Sequence, residues 1–202
     1  MKNGTLIGAA CGALVVGAVW TGVQALTQYE DSQEMSPEMA AWMKASAPGA
    51  QHKLLATLVG DWNIVAEFKM DPDAPPTTDT GTNVNTMTFG GRFLKSDYTS
   101  TFMGATLNGT SYIGYDNVEQ HYVSIWISDM GTGLTLDYGQ CNAAGTQWTM
   151  KGAYNDPMGN AIKYKHVLTI VSEDEYTFEM YSTQPDIEGM YQNGTITYTR
   201  SN

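Results

Sequence analysis

The sequence predicts an all-β protein: a closed antiparallel up-and-down β-barrel of about ten strands, with one or two short N-terminal helices capping one end. Three observations predict it. Between Asp61 and Arg200, short runs rich in Thr, Tyr, Val, Ile, Phe and Trp recur with no helical pattern between them. Gly, Pro, Asn and Asp punctuate those runs where turns or bulges are needed. Gly60-Asp61-Trp62 opens the first run and Arg200 lies in the last. If first and last strands are neighbours, the guanidinium can lie over the indole and bond local carbonyls, a stack worth roughly 0.5–2 kcal/mol. Gly60, Trp62 and Arg200 are therefore read as structural closure.

Residues 1–26 form an apolar run behind a single Lys2 and read as a signal peptide or an N-terminal membrane anchor. Val23-Gln24-Ala25 places small residues where a signal peptidase cuts, and the Gly- and Ala-rich run also suits helix packing in lipid. Cys11 lies within this run, but Gly8 stands where a lipoprotein signal carries a Leu-like residue. Residues 27–35 read as a polar linker and 36–202 as one domain, which places that domain outside the cytoplasm, exported or tethered to a membrane. Ser36-Pro37-Glu38 starts a helix by capping, first-turn proline and an acid at the positive end. It ends near Pro48-Gly49, and a second helix spans about 50–58 with Leu54, Leu55 and Leu58 on one side.

Strands are expected at 61–71, 82–89, 92–103, 107–116, 121–128, 132–140, 146–153, 162–172, 175–183 and 189–200. Asp71-Pro72-Asp73-Ala74-Pro75-Pro76 must be a loop, because consecutive prolines cannot donate to a ladder. Asn108-Gly109 and Asn193-Gly194 read as turns or bulges. Tyr122, Ser124, Trp126 and Ser128 alternate with Val123, Ile125 and Ile127, giving a strand with two distinct faces.

The formal net charge is −11 and basic residues nowhere cluster, which argues against nucleic acid as a partner. Cys141 is alone in the domain, with no His or acid beside it, and reads as a buried structural thiol. The three His lack metal-ligand spacing, so no metal and no cofactor is assigned. No G-x-S-x-G elbow or phosphate-binding glycine loop is present. No catalytic residue is assigned.

Several short motifs occur in order: Trp42-Met43-Lys44-Ala45, Pro48-Gly49, His52-Lys53-Leu54-Leu55, Val59-Gly60-Asp61-Trp62, Gly90-Gly91-Arg92-Phe93-Leu94, Gly114-Tyr115-Asp116-Asn117, Trp126 to Gly133, Phe178-Glu179-Met180-Tyr181 and Tyr198-Thr199-Arg200. Their order and spacing resemble the bacterial family of unknown function DUF1579 over about residues 38–200. The resemblance implies a calycin-like, lipocalin-related barrel with an interior cavity. It implies no activity.

Within such a barrel, Arg92, Tyr112, Tyr115, Trp126, Asp129, Glu179 and His52 are the cavity candidates. Arg92 with Glu179 or Asp129 could be a structural ion pair, or Arg92 could anchor a ligand head group. His52 reads first as a first-turn residue bonding a loop carbonyl, and second as a base or ligand facing the barrel mouth. His166 could be an axial haem ligand, but a single strand His is more commonly just hydrogen-bonded. The first functional reading is an exported barrel that binds a small hydrophobic or amphipathic molecule without turnover. Two alternatives stand beside it: a membrane-anchored accessory or scaffold subunit of a membrane complex with a side-chain-filled barrel, and an enzyme using the cavity with His52, Asp116 or Asp129 as acid or base. An empty interior volume separates the first from the second.

Overall fold

The computed structural model describes residues 35–201. Two helices, α1 (Pro37–Ser46) and α2 (Ala50–Ala56), precede ten strands. These are β1 (Gly60–Phe68), β2 (Thr77–Thr88), β3 (Phe93–Phe102), β4 (Ala105–Asp116), β5 (His121–Ser128), β6 (Thr135–Cys141), β7 (Gln147–Asn155), β8 (Ala161–Ser172), β9 (Glu175–Gln184) and β10 (Ile187–Arg200). Each strand pairs antiparallel with the next, and β10 returns to β1, closing the barrel. The closing register runs from Trp62 opposite Arg200 to Phe68 opposite Gly194. The segment read as a signal peptide or anchor, and the linker up to residue 34, lie outside the described residues. Among the described residues no helix is long and apolar enough to cross a membrane.

The seam forms as the sequence suggests. The Arg200 guanidinium carbon sits 4.3 Å from the centre of the Trp62 ring. Its nitrogens donate to the carbonyls of Val59 at 3.1 Å and Glu173 at 2.8 Å, and to an Asp174 carboxylate oxygen at 3.1 Å. Gly60 lies directly beneath: its φ is 141°, and a Cβ there would collide with the Arg200 Nη1. Glycine meets both demands, a left-handed backbone and close approach.

Two local expectations change. β2 begins at Thr77 rather than about 82. Its first residues, Thr77-Thr78-Asp79-Thr80, carry no apolar face, and pairing to Phe68-Glu67-Ala66-Val65 of β1 extends the strand instead. Asn108-Gly109 lies inside β4 rather than at a turn, and the chain reverses at Met103-Gly104. Gly109 is needed because the Trp126 indole of β5 packs where its Cβ would stand. Asn193-Gly194 does mark an irregular step in the β9–β10 register.

The alternating direction of the strands gives the barrel two unlike ends. One end carries α2, the β2–β3, β4–β5, β6–β7 and β8–β9 turns, and the Gly60–Arg200 seam. Leu55, Leu58 and His52 are buried there as a plug. Tyr122 of β5 donates its hydroxyl proton to Gln51 Oε1 at 2.6 Å. The Leu58 carbonyl accepts from Trp62 Nε1 at 3.0 Å and Asn85 Nδ2 at 2.9 Å. α1 buries no residue. It is tied down at its C-terminal end, where Arg92 Nε donates to Ser46 O and Asn117 Nδ2 donates to Ala45 O and Ala47 O. At the opposite end, each of the five connections carries an exposed methionine in it or beside it: Met70, Met103, Met130, Met158 and Met190. Methionine side chains there form an apolar, deformable collar.

Candidate functional site

The barrel encloses a cavity of about 350 Å³. At the helix end its lining is buried, with Leu58, Asn85, Leu94 and Tyr176 among the residues that shut it. At the methionine end it reaches Met130 and Tyr154, which are 59% and 50% exposed. The cavity therefore opens at the methionine end and is closed at the other by α2 and Leu58. The interior is not filled by side chains.

Strand β5 shows how the sequence builds this chamber. Ser124 and Trp126 line the cavity and Tyr122 is buried, so the more polar face of the strand points inward. Ile127, on the aliphatic face, is 43% exposed. The same inversion holds in β6, where Asp137 is 5% exposed and faces the cavity between the exposed Leu136 and Tyr138. A packed barrel core would favour the opposite choice, because burying polar groups is costly unless they are bonded.

Two polar clusters sit in the wall. Near the plug, Asn83 Nδ2 donates to Asn85 Oδ1 at 2.7 Å, and Asn85 Nδ2 reaches the Tyr176 hydroxyl oxygen at 3.1 Å. Tyr176 stacks on Tyr198 at 4.1 Å and meets the Trp62 edge at 4.7 Å, so an aromatic column runs from the Arg200 seam into the cavity wall. Burial pushes both tyrosine hydroxyls well above their usual range, so they remain neutral.

The second cluster is open. His166 Nδ1 and Asp137 Oδ2 are 2.7 Å apart. The imidazole lies between the Tyr164 ring at 4.9 Å and the Phe178 ring at 5.0 Å. Tyr164 donates its proton to the Leu136 carbonyl at 2.9 Å. Burial, with the Asp137 carboxylate adding to it, pushes the Tyr164 hydroxyl well above its usual range. The other Asp137 oxygen, Oδ1, is buried with no hydrogen-bond partner, and so is Asn193 Oδ1 on β10. Both residues line the cavity.

Of the seven residues read as cavity candidates, Trp126 lines the cavity, edge-on to Tyr98 at 5.7 Å. The other six do not. Arg92 bonds the carbonyls of Ser46 and Phe89 in the helix clasp and forms no ion pair with Glu179 or Asp129. Asp129 holds the backbone N–H and the Nδ2 of Asn108, fastening the β5–β6 loop to β4. Glu179 accepts from Gln192 Nε2 at 3.3 Å, one step from the inward-facing Phe178 and Met180. Tyr112 lies 6.4 Å from the Phe89 ring, and Tyr115 packs on Tyr122 at 5.0 Å under α2. His52 is buried in the plug, where its Nδ1 accepts from the Gly49 N–H at 3.0 Å, a local bond to a backbone donor rather than to the loop carbonyl expected. Burial holds its ionisation below the usual value; the Tyr115 backbone opposes this and the Arg92 charge reinforces it.

Asp116 accepts from the backbone N–H groups of Glu119 and Val118, which hold its carboxyl below the usual range, and it shapes the β4–β5 turn. Cys141 is half-buried, and burial pushes its thiol up, away from nucleophilic character. Among the described residues no three His, Cys, Asp or Glu side chains converge as a metal site would require. Sequence reasoning passed over Asp137, Asn83, Asn85 and Asn193. The available signal was polarity at alternate positions: Asn83 and Asn85 flank Val84, and Asp137 sits between Leu136 and Tyr138, so the amide and carboxylate side chains there share the inward parity.

A family model described as protein of unknown function (DUF1579) matches residues 47–200. No curated protein matches the chain. Among solved structures, the chain is similar to an S-type phycobiliprotein lyase from Guillardia theta, with 8% identity and a TM-score of 0.55, over 80% of this chain and 97% of that one. A redesigned β-barrel aligns at 15% identity and a TM-score of 0.40, over 74% of this chain and 96% of that one. These likenesses concern the fold.

Proposed function

We infer that this chain, which belongs to the DUF1579 family, holds a small hydrophobic or amphipathic molecule inside its barrel without transforming it. The observation that carries this reading is the inverted wall. Ser96, Ser111, Ser124 and Asp137 face a chamber walled by aromatic and aliphatic side chains while Ile127 and Leu136 face solvent. Binding sites combine an apolar body with a few placed polar groups in this way. The methionine collar fits the same role, because flexible thioethers can part for an entering molecule and close behind it. The apolar N-terminal run belongs to this reading as an export signal or anchor, placing the barrel outside the cytoplasm.

The test is displacement of a neutral apolar dye, N-phenyl-1-naphthylamine, with native mass spectrometry of the purified chain for a co-purifying molecule. The dye should brighten on binding, and Ser124→Phe, which fills the chamber, should abolish the signal while circular dichroism stays unchanged. Equal dye binding by the filled variant would refute an interior site.

A further inference from the structure

The unpartnered acceptors in the cavity wall define what kind of molecule fits, and this inference rests on the binding reading above. Asp137 Oδ2 is engaged by His166, while Oδ1 has no partner although the residue is 5% exposed. Asn193 Oδ1 is likewise buried and unpartnered. Their strands, β6 and β10, stand four places apart in the ring of ten, so the two acceptors face the chamber from nearly opposite walls. Leaving such groups unpaired is costly, and a ligand that supplies donors removes that cost on binding. A ligand that brings only acceptors adds repulsion.

Charge points the same way. Among the described residues no lysine or arginine lines the cavity, and Asp137, paired with the His166 ring, is the only carboxylate that does. The hydroxyl of nearby Tyr164 donates to the Leu136 carbonyl at 2.9 Å, and the Asp137 carboxylate beside it also bears on that hydroxyl. The rings of Tyr164 and Phe178 border the same region, and aromatic faces attract cations; the Tyr181 ring is taken by the Lys165 ammonium at 3.9 Å. The chain as a whole carries −11, a field that further disfavours anions at the mouth.

We propose that the cavity selects a molecule with an apolar body and a hydrogen-bond-donating end group, an ammonium or a hydroxyl, bound to Asp137 Oδ1, with Asn193 Oδ1 across the chamber open to a second donor elsewhere on the same molecule, and that it rejects anionic amphiphiles such as carboxylates.

Three probes with the same hydrocarbon chain and different end groups test this: decylammonium, decanol and decanoate, each displacing N-phenyl-1-naphthylamine from the full chain. Decylammonium should compete best and decanol next. Decanoate should be weaker than decylammonium by about tenfold or more, the difference expected of one charge-assisted bond gained against one repulsion. Asp137→Asn should erase most of the ammonium preference, read as the ratio of decylammonium to decanoate competition within that variant. Decanol competing best would identify a neutral donor and still support the proposal. Decanoate competing as well as decylammonium would overturn it, and that ranking needs no variant to fold. A ranking unchanged in Asp137→Asn would also overturn it. If the dye itself fails to bind the unaltered chain, the binding reading fails and takes this proposal with it.

Discussion

The guanidinium of Arg200 lies 4.3 Å over the indole of Trp62, directly across the strand pair where the last strand meets the first. The barrel is therefore locked at its closure by a contact between residues 138 positions apart in sequence. The same side chain reaches the Val59 carbonyl before β1 and the Glu173 carbonyl between β8 and β9. One residue thus joins three places on the rim of the helix end.

Removing this contact should weaken the whole fold. Arg200→Ala is expected to cost about 1–3 kcal/mol, from the stack and the partly exposed hydrogen bonds together. Gly60→Ala should cost a similar amount, because alanine is strained at φ 141° and its Cβ displaces the guanidinium. The double variant should lose less than the sum, since both act on one contact. Urea unfolding of the four proteins measures all three quantities, and strict additivity would show that Gly60 and Arg200 act independently.

Acid should destabilise the plug before it affects the carboxylates. Burial lowers the His52 ionisation from its ordinary 6.5, so the unfolded chain takes up this proton first. Its contribution is present above that value and is lost as pH falls below it. Asp97, Asp116 and Asp156 are also held down, by the Lys95 bond in the first case, backbone N–H groups in the second and Asn160 in the third. Their contributions disappear only as pH falls below 3.8, their ordinary value. Unfolding free energy measured between about pH 7.5 and 5 should therefore decline. His52→Gln should start lower and flatten that decline, and a slope unchanged in the variant would remove His52 as its cause.

Gly152 should tolerate no side chain. A Cβ there would strike the Tyr164 hydroxyl and the Leu136 carbonyl, which are bonded to each other. Gly152→Ala is expected to cost about 1–3 kcal/mol, as overpacking generally does. It should also weaken dye binding, because Tyr164 supports the His166 ring. Thermal unfolding and dye titration on the same preparation check both effects, and a neutral Gly152→Ala would mean the wall yields there.

The clasp on α1 should be separable from the barrel. Arg92 and Asn117 hold its carbonyl end, while the helix buries nothing. Arg92→Ala with Asn117→Ala should speed proteolysis within residues 37–47 and leave the barrel's unfolding midpoint nearly unchanged, since the opening is local. Cleavage rates identical to those of the parent chain would place the restraint on α1 elsewhere.

The architecture was legible because strand periodicity and turn chemistry act over a few residues. The Thr-, Tyr- and Val-rich runs, the proline loop at 71–76 and the Gly60–Trp62 signature each carry their own instruction, and with no helix between strands the only economical path is up and down. Glycines misled where their role was not local: Gly109 reads as a turn with Asn108, yet it sits in mid-strand because the Trp126 indole of the next strand needs the space. The candidate site was less legible. Arg92, Asp129 and Glu179 drew notice as charges among apolar residues, but helix and loop bonds claim the first two and a β10 glutamine the third.

The sequence by itself determined the strand count, the closure of first strand on last, the capping helices and family membership, all of which follow from local pattern and motif order. Only the tertiary structure decided which parity of each strand faces inward. β5 has a serine face and an isoleucine face, and burial alone would turn the isoleucines inside. The register set around the closed ring turned the serines and Asp137 inside instead, and so left a chamber with unpaired acceptors where a packed core would otherwise be.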